Sequence, residues 1–289
     1  MALDLSHILV ASDIDGTFVG ADGDAVDANY DALQQLALAG GMFTFATGRA
    51  SCHLGKEILR AAPYLRCPVI CANGMCLYDM SHSRVLEEFF LDTACVIEAA
   101  TLALRDNPSL GIRVATTDGI VVSSLTNPYL KAEPSGRYDG RRELPPEAWH
   151  PFRIHKFVFR GDSSALEPVR ELLLTKFPKQ FSPNKSLQTL LDVQGYGHSK
   201  ATMLRELRSQ LEAERGRRLF LVAVGDEEND MEMLRSADLA VCPANATDAV
   251  KEICDLCLCD HREGVIADLV RVLSEHDIST LKTRMKRRV

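Results

Sequence analysis

Two aspartates stand two residues apart, directly behind the first apolar run of the chain. Asp13 and Asp15 belong to the stretch SDIDGTFVG, which follows the apolar residues HILVA. A carboxylate is ionised at neutral pH, so Asp13 could attack phosphorus without an activating base. Side chains two apart in an extended segment point the same way, so Asp15 would face the same pocket and could act as general acid and base. A turn is the alternative explanation, because Asp and Gly dominate turns.

Polar residues recur at three later points of the chain, and each point adjoins a predicted strand or helix. TGR follows the apolar run MFTFA, a lysine begins a predicted helix within GHSK, and GDEEND follows LFLVAV. The candidate residues at these points are Thr47, Gly48, Arg49, Lys200, Asp226, Asn229 and Asp230. Each group alone is weak, since turns, surface charges and helix caps use the same residue types. A parallel sheet, however, binds its ligand at the carboxyl ends of its strands, so four such groups in this order predict one site.

The elements that would position these residues alternate between strands and helices at both ends of the chain. HILVAS, MFTFAT and PVICAN predict strands in the first ninety residues, and LFLVAVG and LAVCP predict strands in the last ninety. Amphipathic stretches between them predict helices. This alternation is typical of βαβ units and predicts an α/β domain with a parallel sheet covered on both faces.

The middle of the chain follows a different pattern. IRVATT and GIVVSSL predict a hairpin around Asp118 and Gly119, and a polar stretch rich in Pro, Gly and Arg comes next. It is followed by a strand in FRIHKFVFR, a helix in ALEPVRELLLTKF and a strand in LQTLLDVQ. This order predicts an inserted α+β domain at residues 84–190, between the two parts of the α/β domain at 1–83 and 191–289.

Composition and charge narrow the class of protein. The 289 residues carry a formal net charge of −7, which argues against a nucleic-acid-binding protein, and the basic C-terminal stretch LKTRMKRRV is expected to be a solvated tail. No apolar run reaches the roughly 18–20 residues that span a bilayer, so no membrane partner is expected. The absence of a signal-peptide pattern predicts a cytoplasmic protein, and nine scattered cysteines favour free thiols.

The motifs SDIDGTF, ATGR, GHSK and VGDEENDMEMLRSA, in this order, resemble those of the haloacid dehalogenase superfamily of aspartate-nucleophile phosphotransferases. More narrowly, the chain looks like the Cof-like branch of sugar-phosphate phosphatases. The resemblance implies a Rossmann-like parallel-sheet core with an inserted α+β cap domain. It also implies Mg²⁺ as the cofactor and a small phosphorylated metabolite as the partner. The oligomeric state stays open.

The resemblance gives each carboxylate a role. Asp13 becomes the nucleophile and a metal ligand, and Asp15 becomes the acid and base while its backbone carbonyl binds the metal. Asp226 completes an all-oxygen set suited to Mg²⁺, a hard ion that keeps several waters. Asp230 is expected to belong to the metal site as a supporting residue, and Asn229 to contact the phosphate.

The other candidates would supply cations and donors, because phosphoryl transfer depends on positioning and on neutralising charge. Lys200 would hold Asp13 and the phosphoryl oxygens. Thr47 would donate its hydroxyl to a phosphoryl oxygen, and Gly48 would leave the nearby backbone amide accessible. Arg49 would contact the substrate phosphate or pair with the cap.

These expectations favour Mg²⁺-dependent hydrolysis of a small phosphomonoester, with a sugar phosphate as the expected substrate, through an aspartyl-phosphate. The alternative is a phosphomutase or phosphotransferase of the same superfamily, since nothing in these motifs separates hydrolysis from transfer to a second acceptor. The eukaryotic phosphomannomutases, however, carry a fourth motif different from GDEEND, which disfavours that option. A non-catalytic sensor of phosphorylated metabolites would have lost at least one catalytic residue, whereas all of them are present here.

Three other groups of residues have competing explanations. A zinc site could use Cys254, Cys257, Cys259 and His261, although the alternation LCLC is also typical of a buried strand. Cys52 and His53 could form a nucleophilic pair, but adjacent residues rarely face each other on a helix. Cys71 and Cys76 flank ANGM, but a disulfide is unexpected in a reducing compartment.

Two further features could belong to the substrate pocket. Asn73 and Gly74 end the third predicted strand, where they could line the pocket or only form a turn. Arg137, Arg141 and Arg142 lie in the polar stretch of the inserted domain, where they could bind an anion or remain solvated.

Overall fold

The computed structural model describes residues 4–20, 24–132 and 140–276 of the chain, so Arg137 and the basic C-terminal stretch lie outside the described residues. The strands in this part are β1 (Ile8–Ser12), β2 (Met42–Phe45), β3 (Val69–Cys71), β4 (Cys76–Asp79), β5 (Arg84–Glu88), β6 (Gly111–Thr116), β7 (Gly119–Val122), β8 (Arg142–Glu143), β9 (Ile154–Arg160), β10 (Phe181–Leu187), β11 (Leu190–Gly195), β12 (Phe220–Val224), β13 (Leu239–Pro243) and β14 (Leu256–Leu258). The α-helices are α1 (Asp27–Leu38), α2 (Lys56–Ala61), α3 (Thr93–Asp106), α4 (Pro128–Lys131), α5 (Ser163–Lys176), α6 (Lys200–Arg215), α7 (Met231–Ser236), α8 (Asp248–Ile253) and α9 (Val265–Glu275).

A parallel sheet in the order β14-β13-β12-β1-β2 forms the centre of the core domain. Side chains of β1 alternate between its faces, so Val10 packs into the cluster that includes α1 and α9, while Leu9 packs into the cluster that includes α6. Every residue of β1 is buried, because helices cover both faces of the sheet. The predicted α/β architecture is therefore confirmed.

The strand predicted in PVICAN has a different main partner from the one expected. β3 touches the parallel sheet through a single bridge between Ala46 and Ile70, and it pairs along its length with β4 in the antiparallel sheet β3-β4-β5. The expectation of an ordinary third parallel strand was wrong because the chain reverses immediately after β3. Asn73 and Gly74 form this reversal with positive φ angles of 56° and 91°.

The inserted domain, which we call the cap, is a mainly antiparallel sheet in the order β10-β11-β9-β6-β7-β8. The hairpin predicted around Asp118 and Gly119 is confirmed, since β6 and β7 pair on either side of these residues. Helices α3 and α5 pack on one face of the sheet through an apolar cluster that includes Val96, Leu166 and Phe157. The predicted α+β organisation of the insertion is therefore present.

One strand prediction in the cap was incomplete. LQTLLDVQ spans the end of β10, a turn and most of β11, so two strands stand where one was expected. β10 escaped prediction because it contains Pro183 and several polar residues. The structure tolerates a proline there because β10 lies at the edge of the sheet, where one side of the strand needs no ladder hydrogen bonds.

Strand pairing also bears on where the chain passes between core and cap. β5, which begins at Arg84, pairs with β4 of the core, and β11, which begins at Leu190, pairs with β9 of the cap. We therefore propose that the crossings lie later than residues 83 and 190, between β5 and α3 and between β11 and α6.

Within the described ranges, no helix is both long enough and apolar enough to span a bilayer.

Candidate active site

The carboxyl ends of the central strands bring the first and fourth motifs together. Asp13 directly follows β1, and its backbone N–H donates to the carbonyl of Val224, the last residue of β12, at 2.9 Å. Asp226 stands two residues beyond the end of β12. The parallel pairing of β1 with β12 thus places these two aspartates side by side at one edge of the sheet.

A glycine turn allows the first motif to approach Asp226 closely. Gly16 adopts a φ of +89°, and a Cβ atom on it would lie 2.2 Å from Oδ2 of Asp226. The next residue, Thr17, is buried and donates its hydroxyl to Oδ1 of Asp226 at 2.5 Å. Glycine is therefore required here by both the backbone conformation and the space.

Lys200 joins the third motif to the carboxylates. It begins α6, is 1% exposed, and donates to Oδ1 of Asp13 at 2.5 Å and to Oδ1 of Asp230 at 2.7 Å. Burial opposes the charged ammonium, but these two carboxylates outweigh burial and raise the pKa of Lys200 above its ordinary value. Lys200 is therefore a permanent cation beneath Asp13.

The carboxylates of this site outnumber the cation that contacts them. Oxygen atoms of Asp13, Asp226 and Asp230 lie within 4.8 Å of one another, and all three residues are buried. Burial, with repulsion from Asp230 and Asp15 and despite Lys200, raises the pKa of Asp13 to about 7. Burial and repulsion from Asp13 and Asp230 raise the pKa of Asp226 to about 9. An excess of buried carboxylate oxygens fits a hard divalent cation, which would offset this repulsion.

Asp230 differs from the other two carboxylates because both of its oxygens already accept hydrogen bonds. Oδ1 accepts from Lys200, while Oδ2 accepts from the backbone N–H groups of Asp226 at 3.0 Å and Glu227 at 3.2 Å. Asp230 therefore holds the loop that carries Asp226. Asn229 lies beside it in the 3-10 turn Glu228–Asp230 and is partly buried, and no contact assigns it a role.

Asp15 is held apart from this group by Arg49. The guanidinium donates from Nε to Oδ2 of Asp15 at 3.0 Å and from Nη2 to Oδ1 at 2.7 Å. Its Nη1 donates to the carbonyl of Leu54 at 2.8 Å and to Glu57 at 3.1 Å. Arg49 is buried while the Asp15 side chain is 39% exposed, so the carboxyl is fixed in direction but open to the cleft. These contacts of Arg49 lie within the core domain, and its contact with the substrate phosphate stays a prediction.

Thr47 and Gly48 complete the core side of the cleft. The Thr47 hydroxyl oxygen accepts from the backbone N–H of Arg49 at 3.1 Å, which leaves its own proton available for a ligand. A Cβ atom on Gly48 would lie 3.0 Å from Oδ1 of Asn73 and 3.3 Å from Nζ of Lys156. Lys156 belongs to cap strand β9 and donates to the Gly48 carbonyl at 3.0 Å. The cap thus reaches the second motif through a lysine.

Sequence reasoning missed four residues of this region, namely Thr17, Glu57, Lys156 and Asp192. Lys156 forms a buried ion pair with Asp192 of β11. The available signal was a lysine in the middle of the otherwise mostly apolar strand IHKFVFR, because a buried lysine needs a charged partner. Thr17 could have been found from its position next to Gly16.

The predicted arginine cluster of the cap does not converge on the site within the described residues. Arg141 donates to the carbonyl of Leu130 at 2.8 Å, and Arg142 stacks over the ring of Phe152 at 4.9 Å. All of these contacts lie inside the cap. The third arginine, Arg137, lies outside the described residues.

The structure also bears on the zinc site and the disulfide that the cysteines could form. Cys254, Cys257, Cys259 and His261 do not form a metal-binding group, since in the part of the chain that the structure describes only the three aspartates form a group able to hold a metal. All nine cysteines are free thiols.

Cys52 and His53 do contact each other, contrary to the expectation for neighbours on a helix, because they lie in the 3-10 turn Ser51–His53. Sγ of Cys52 is 3.0 Å from Nδ1 of His53. Desolvation raises the pKa of the Cys52 thiol, which opposes a nucleophilic role.

Comparison with known proteins agrees with this geometry. Residues 10–270 match the family of haloacid dehalogenase-like hydrolases. The chain is 26% identical to pyridoxal phosphate phosphatase YbhA of Escherichia coli, over 91% of this chain and 97% of the relative. It is 25% identical to 5-amino-6-(5-phospho-D-ribitylamino)uracil phosphatase YcsE of Bacillus subtilis, over 93% of this chain and 96% of the relative.

Among solved structures, the subclass IIB sugar phosphatase BT4131 superposes with a TM-score of 0.78 and 18% identity, over 92% of this chain and 98% of that one. This likeness shows that the fold, including the capped core, is shared. The chain therefore belongs to the family of haloacid dehalogenase-like hydrolases, in which it is a phosphatase.

Proposed function

We propose that this phosphatase requires Mg²⁺ and hydrolyses a small phosphomonoester of the sugar-phosphate class through an aspartyl-phosphate on Asp13. The observation that supports this most is the separation of two carboxylates. Lys200 holds Asp13 beside Asp226, whereas Arg49 holds Asp15 on the open side of the cleft. This separation supports Asp13 as the nucleophile and Asp15 as the acid and base.

In the first half-reaction, Oδ2 of Asp13 attacks phosphorus, because Oδ1 is the oxygen that Lys200 holds. The bond between phosphorus and the ester oxygen breaks, and Asp15 in its protonated form donates its proton to the departing alkoxide. Lys200 and the Thr47 hydroxyl bind the nonbridging oxygens of the phosphoryl group. Arg49 keeps the carboxyl of Asp15 in the required direction.

In the second half-reaction, Asp15 removes a proton from a water molecule, which attacks the phosphorus of the aspartyl-phosphate. Phosphate leaves, and the carboxylate of Asp13 is restored. Asp13, Asp226 and the backbone carbonyl of Asp15 would hold Mg²⁺, while Asp230 positions Asp226 and Lys200. Bound Mg²⁺ supplies the positive charge that offsets repulsion between these carboxylates and the phosphate.

The relatives support a small substrate. The two named above act on pyridoxal phosphate and on 5-amino-6-(5-phospho-D-ribitylamino)uracil, both small phosphomonoesters, and a structural neighbour is a sugar phosphatase. The cap stands over the second motif and contacts it through Lys156. Such a cap would exclude phosphoproteins and bulk water from the cleft.

The test is phosphate release from a panel of sugar phosphates and other phosphorylated metabolites, with purified protein and Mg²⁺. We expect release from at least one sugar phosphate and its loss in excess EDTA, with recovery when Mg²⁺ is restored. Undiminished release in excess EDTA contradicts the metal requirement. An isomerised sugar phosphate formed without free phosphate would instead identify a phosphomutase.

A further inference from the structure

The cap sheet has one face covered by helices and one face toward the core. Along β9, Phe157 and Phe159 pack into the apolar cluster with α3 and α5, so Lys156 points to the opposite face. That opposite face contacts the core, because Lys156 donates to the Gly48 carbonyl at 3.0 Å. In the same region Ala50, just beyond the second motif, belongs to one apolar cluster with Val122 of β7.

The neighbouring strand β11 presents polar residues to the same face. Leu191 and Val193 pack into the apolar cluster with α3 and α5, which leaves Asp192 and Gln194 on the side of Lys156. Because Val193 is opposite Phe157 in the antiparallel pair, Gln194 lies beside Lys156. We call Lys156, Asp192 and Gln194 the cap cluster.

The cap cluster is buried, and the guanidinium of Arg113 lies near enough to act on both Lys156 and Asp192. Side chains of Lys156 and Asp192 are 5% and 8% exposed and form an ion pair. Burial lowers the pKa of Lys156 in spite of Asp192. A buried ion pair is costly to assemble. Its position beside the second motif therefore indicates a functional role.

Two unpaired amide oxygens adjoin this ion pair. Asn73 and Gln194 are 1% and 2% exposed. The Asn73 side-chain amide donates to the Asp192 carboxylate, whereas Oδ1 of Asn73 and Oε1 of Gln194 have no hydrogen-bond partner among the residues that the structure describes. Asn73 is fixed beside the second motif, since its backbone N–H donates to the Thr47 carbonyl at 2.9 Å. Buried polar atoms without partners are costly, and a ligand is one way to satisfy them.

The chemistry of these groups selects a kind of ligand. The two amide oxygens need donors, while the Lys156 ammonium has a third proton to donate besides those directed at Asp192 and the Gly48 carbonyl. A hydroxyl group serves as both donor and acceptor. A carboxylate or a second phosphate could only accept, and an alkyl chain could do neither.

We propose that Lys156 binds the leaving group of the substrate directly, that Asn73 and Gln194 complete this subsite, and that the leaving group is a chain or ring bearing several hydroxyls. Asp192 is the positioning residue that holds the Lys156 ammonium. This inference rests on the proposed phosphatase function. It names the hydroxyl groups of the leaving group as the substrate feature that the cap recognises.

Matched pairs of esters test the inference. Glycerol 1-phosphate and propyl phosphate share a three-carbon chain, and glucitol 6-phosphate and hexyl phosphate share a six-carbon chain, so each pair differs only in hydroxyls. For each pair the ratio of kcat/KM for the hydroxylated ester to kcat/KM for the alkyl ester is measured with Mg²⁺ present. We expect a ratio of about tenfold or more for the unaltered protein, because hydroxyls pair groups that an alkyl chain leaves unpaired.

Lys156→Met should bring the ratio close to one for both pairs, and Gln194→Met should lower it by about tenfold in the six-carbon pair. The control is Lys176→Met, which alters an exposed cap lysine on α5, on the helical face of the sheet. It should keep the original ratio. If Lys156→Met fails to fold, Gln194→Met gives the same test with side-chain shape preserved.

A ratio near one for the unaltered protein, or an unchanged ratio in both variants, overturns the inference while leaving the proposed function intact. Phosphate release that persists in Asp13→Asn contradicts the proposed function instead. The two failures are therefore distinguishable in one set of assays.

Discussion

Two buried lysines stand on opposite sides of the same cleft, in different electrostatic settings. Lys200, in the core, is shared by Asp13 and Asp230 and lies beside Asp226. Lys156, in the cap, pairs with one carboxylate and donates to a backbone carbonyl.

The difference indicates a division of labour. The core side has more carboxylates than the cation contacting them, so it suits a metal ion and the charge of a phosphoryl group. The cap side pairs its lysine with one carboxylate and adjoins two unpaired amide oxygens, which need donors, so it suits a hydroxylated partner. The core would thus recognise the phosphoryl group, which all substrates share. The cap would recognise the leaving group, which distinguishes one substrate from another.

The largest effect is expected at the core nucleophile. Asp13→Asn should lower kcat/KM by on the order of ten-thousandfold or more for every ester, because a neutral amide is a poor nucleophile. Phosphate release under saturating Mg²⁺ measures this. The matched control, Asp31→Asn on the exposed side of α1, should keep full activity. Comparable activity in the two variants would contradict the role of Asp13 as the nucleophile. The division of labour between core and cap would then lose its basis.

The metal site should respond to Asp226 next. Asp226→Asn should raise the Mg²⁺ concentration for half-maximal activity by at least about 100-fold, since even changes around metal ligands cost 10–100-fold. A Mg²⁺ titration of activity, paired with the rise in Tm on adding Mg²⁺, provides the measurement. Asp248→Asn on α8 serves as the exposed control. An unaltered Mg²⁺ requirement in Asp226→Asn would place the metal elsewhere.

Arg49 separates two explanations of the second motif. Arg49→Lys should lower kcat by about 10- to 100-fold with little change in KM, because lysine cannot hold Asp15 with two parallel hydrogen bonds. Steady-state kinetics distinguish this from a phosphate contact, which would raise KM. Arg60→Lys, at an exposed ion pair with Asp27, is the control. A rise in KM alone would support the prediction from the sequence that Arg49 contacts the substrate phosphate.

The smallest effect concerns the support of Asp226. Thr17→Val should lower the free energy of unfolding by about 1–2 kcal/mol, because it removes the buried hydrogen bond to Asp226. Thr17→Ser keeps the hydroxyl and should lose less. Denaturant unfolding in EDTA measures both. A larger loss in Thr17→Ser than in Thr17→Val would mean that packing of the methyl group, which valine keeps, and not the hydrogen bond, matters at this position.

The core site was largely predictable because its residues lie at strand ends in short local motifs. Asp13 and Asp226 are brought together by the pairing of β1 with β12, which the alternation of strands and helices already implied. A parallel sheet gives such residues only one edge at which to meet.

The cap side was not predictable because its contacts depend on how two domains dock. Lys156 meets Gly48 across 108 positions of sequence, and no local pattern encodes that approach. The Arg49–Asp15 pair likewise joins residues 34 positions apart, so the motif alone suggested a phosphate ligand. β10 was missed because the edge of a sheet accepts residues that strand propensity disfavours.

Trapping the covalent intermediate tests the central claim most directly. Unaltered protein and Asp15→Asn are mixed with a sugar phosphate that serves as substrate and with Mg²⁺, quenched in acid on the millisecond-to-second scale, and digested for peptide mass spectrometry. We predict a phosphoryl group on Asp13, transient in the unaltered protein and accumulating in Asp15→Asn because water is no longer deprotonated. Phosphate release without any protein-bound phosphoryl group, or a phosphoryl group on a residue other than Asp13, would contradict the mechanism.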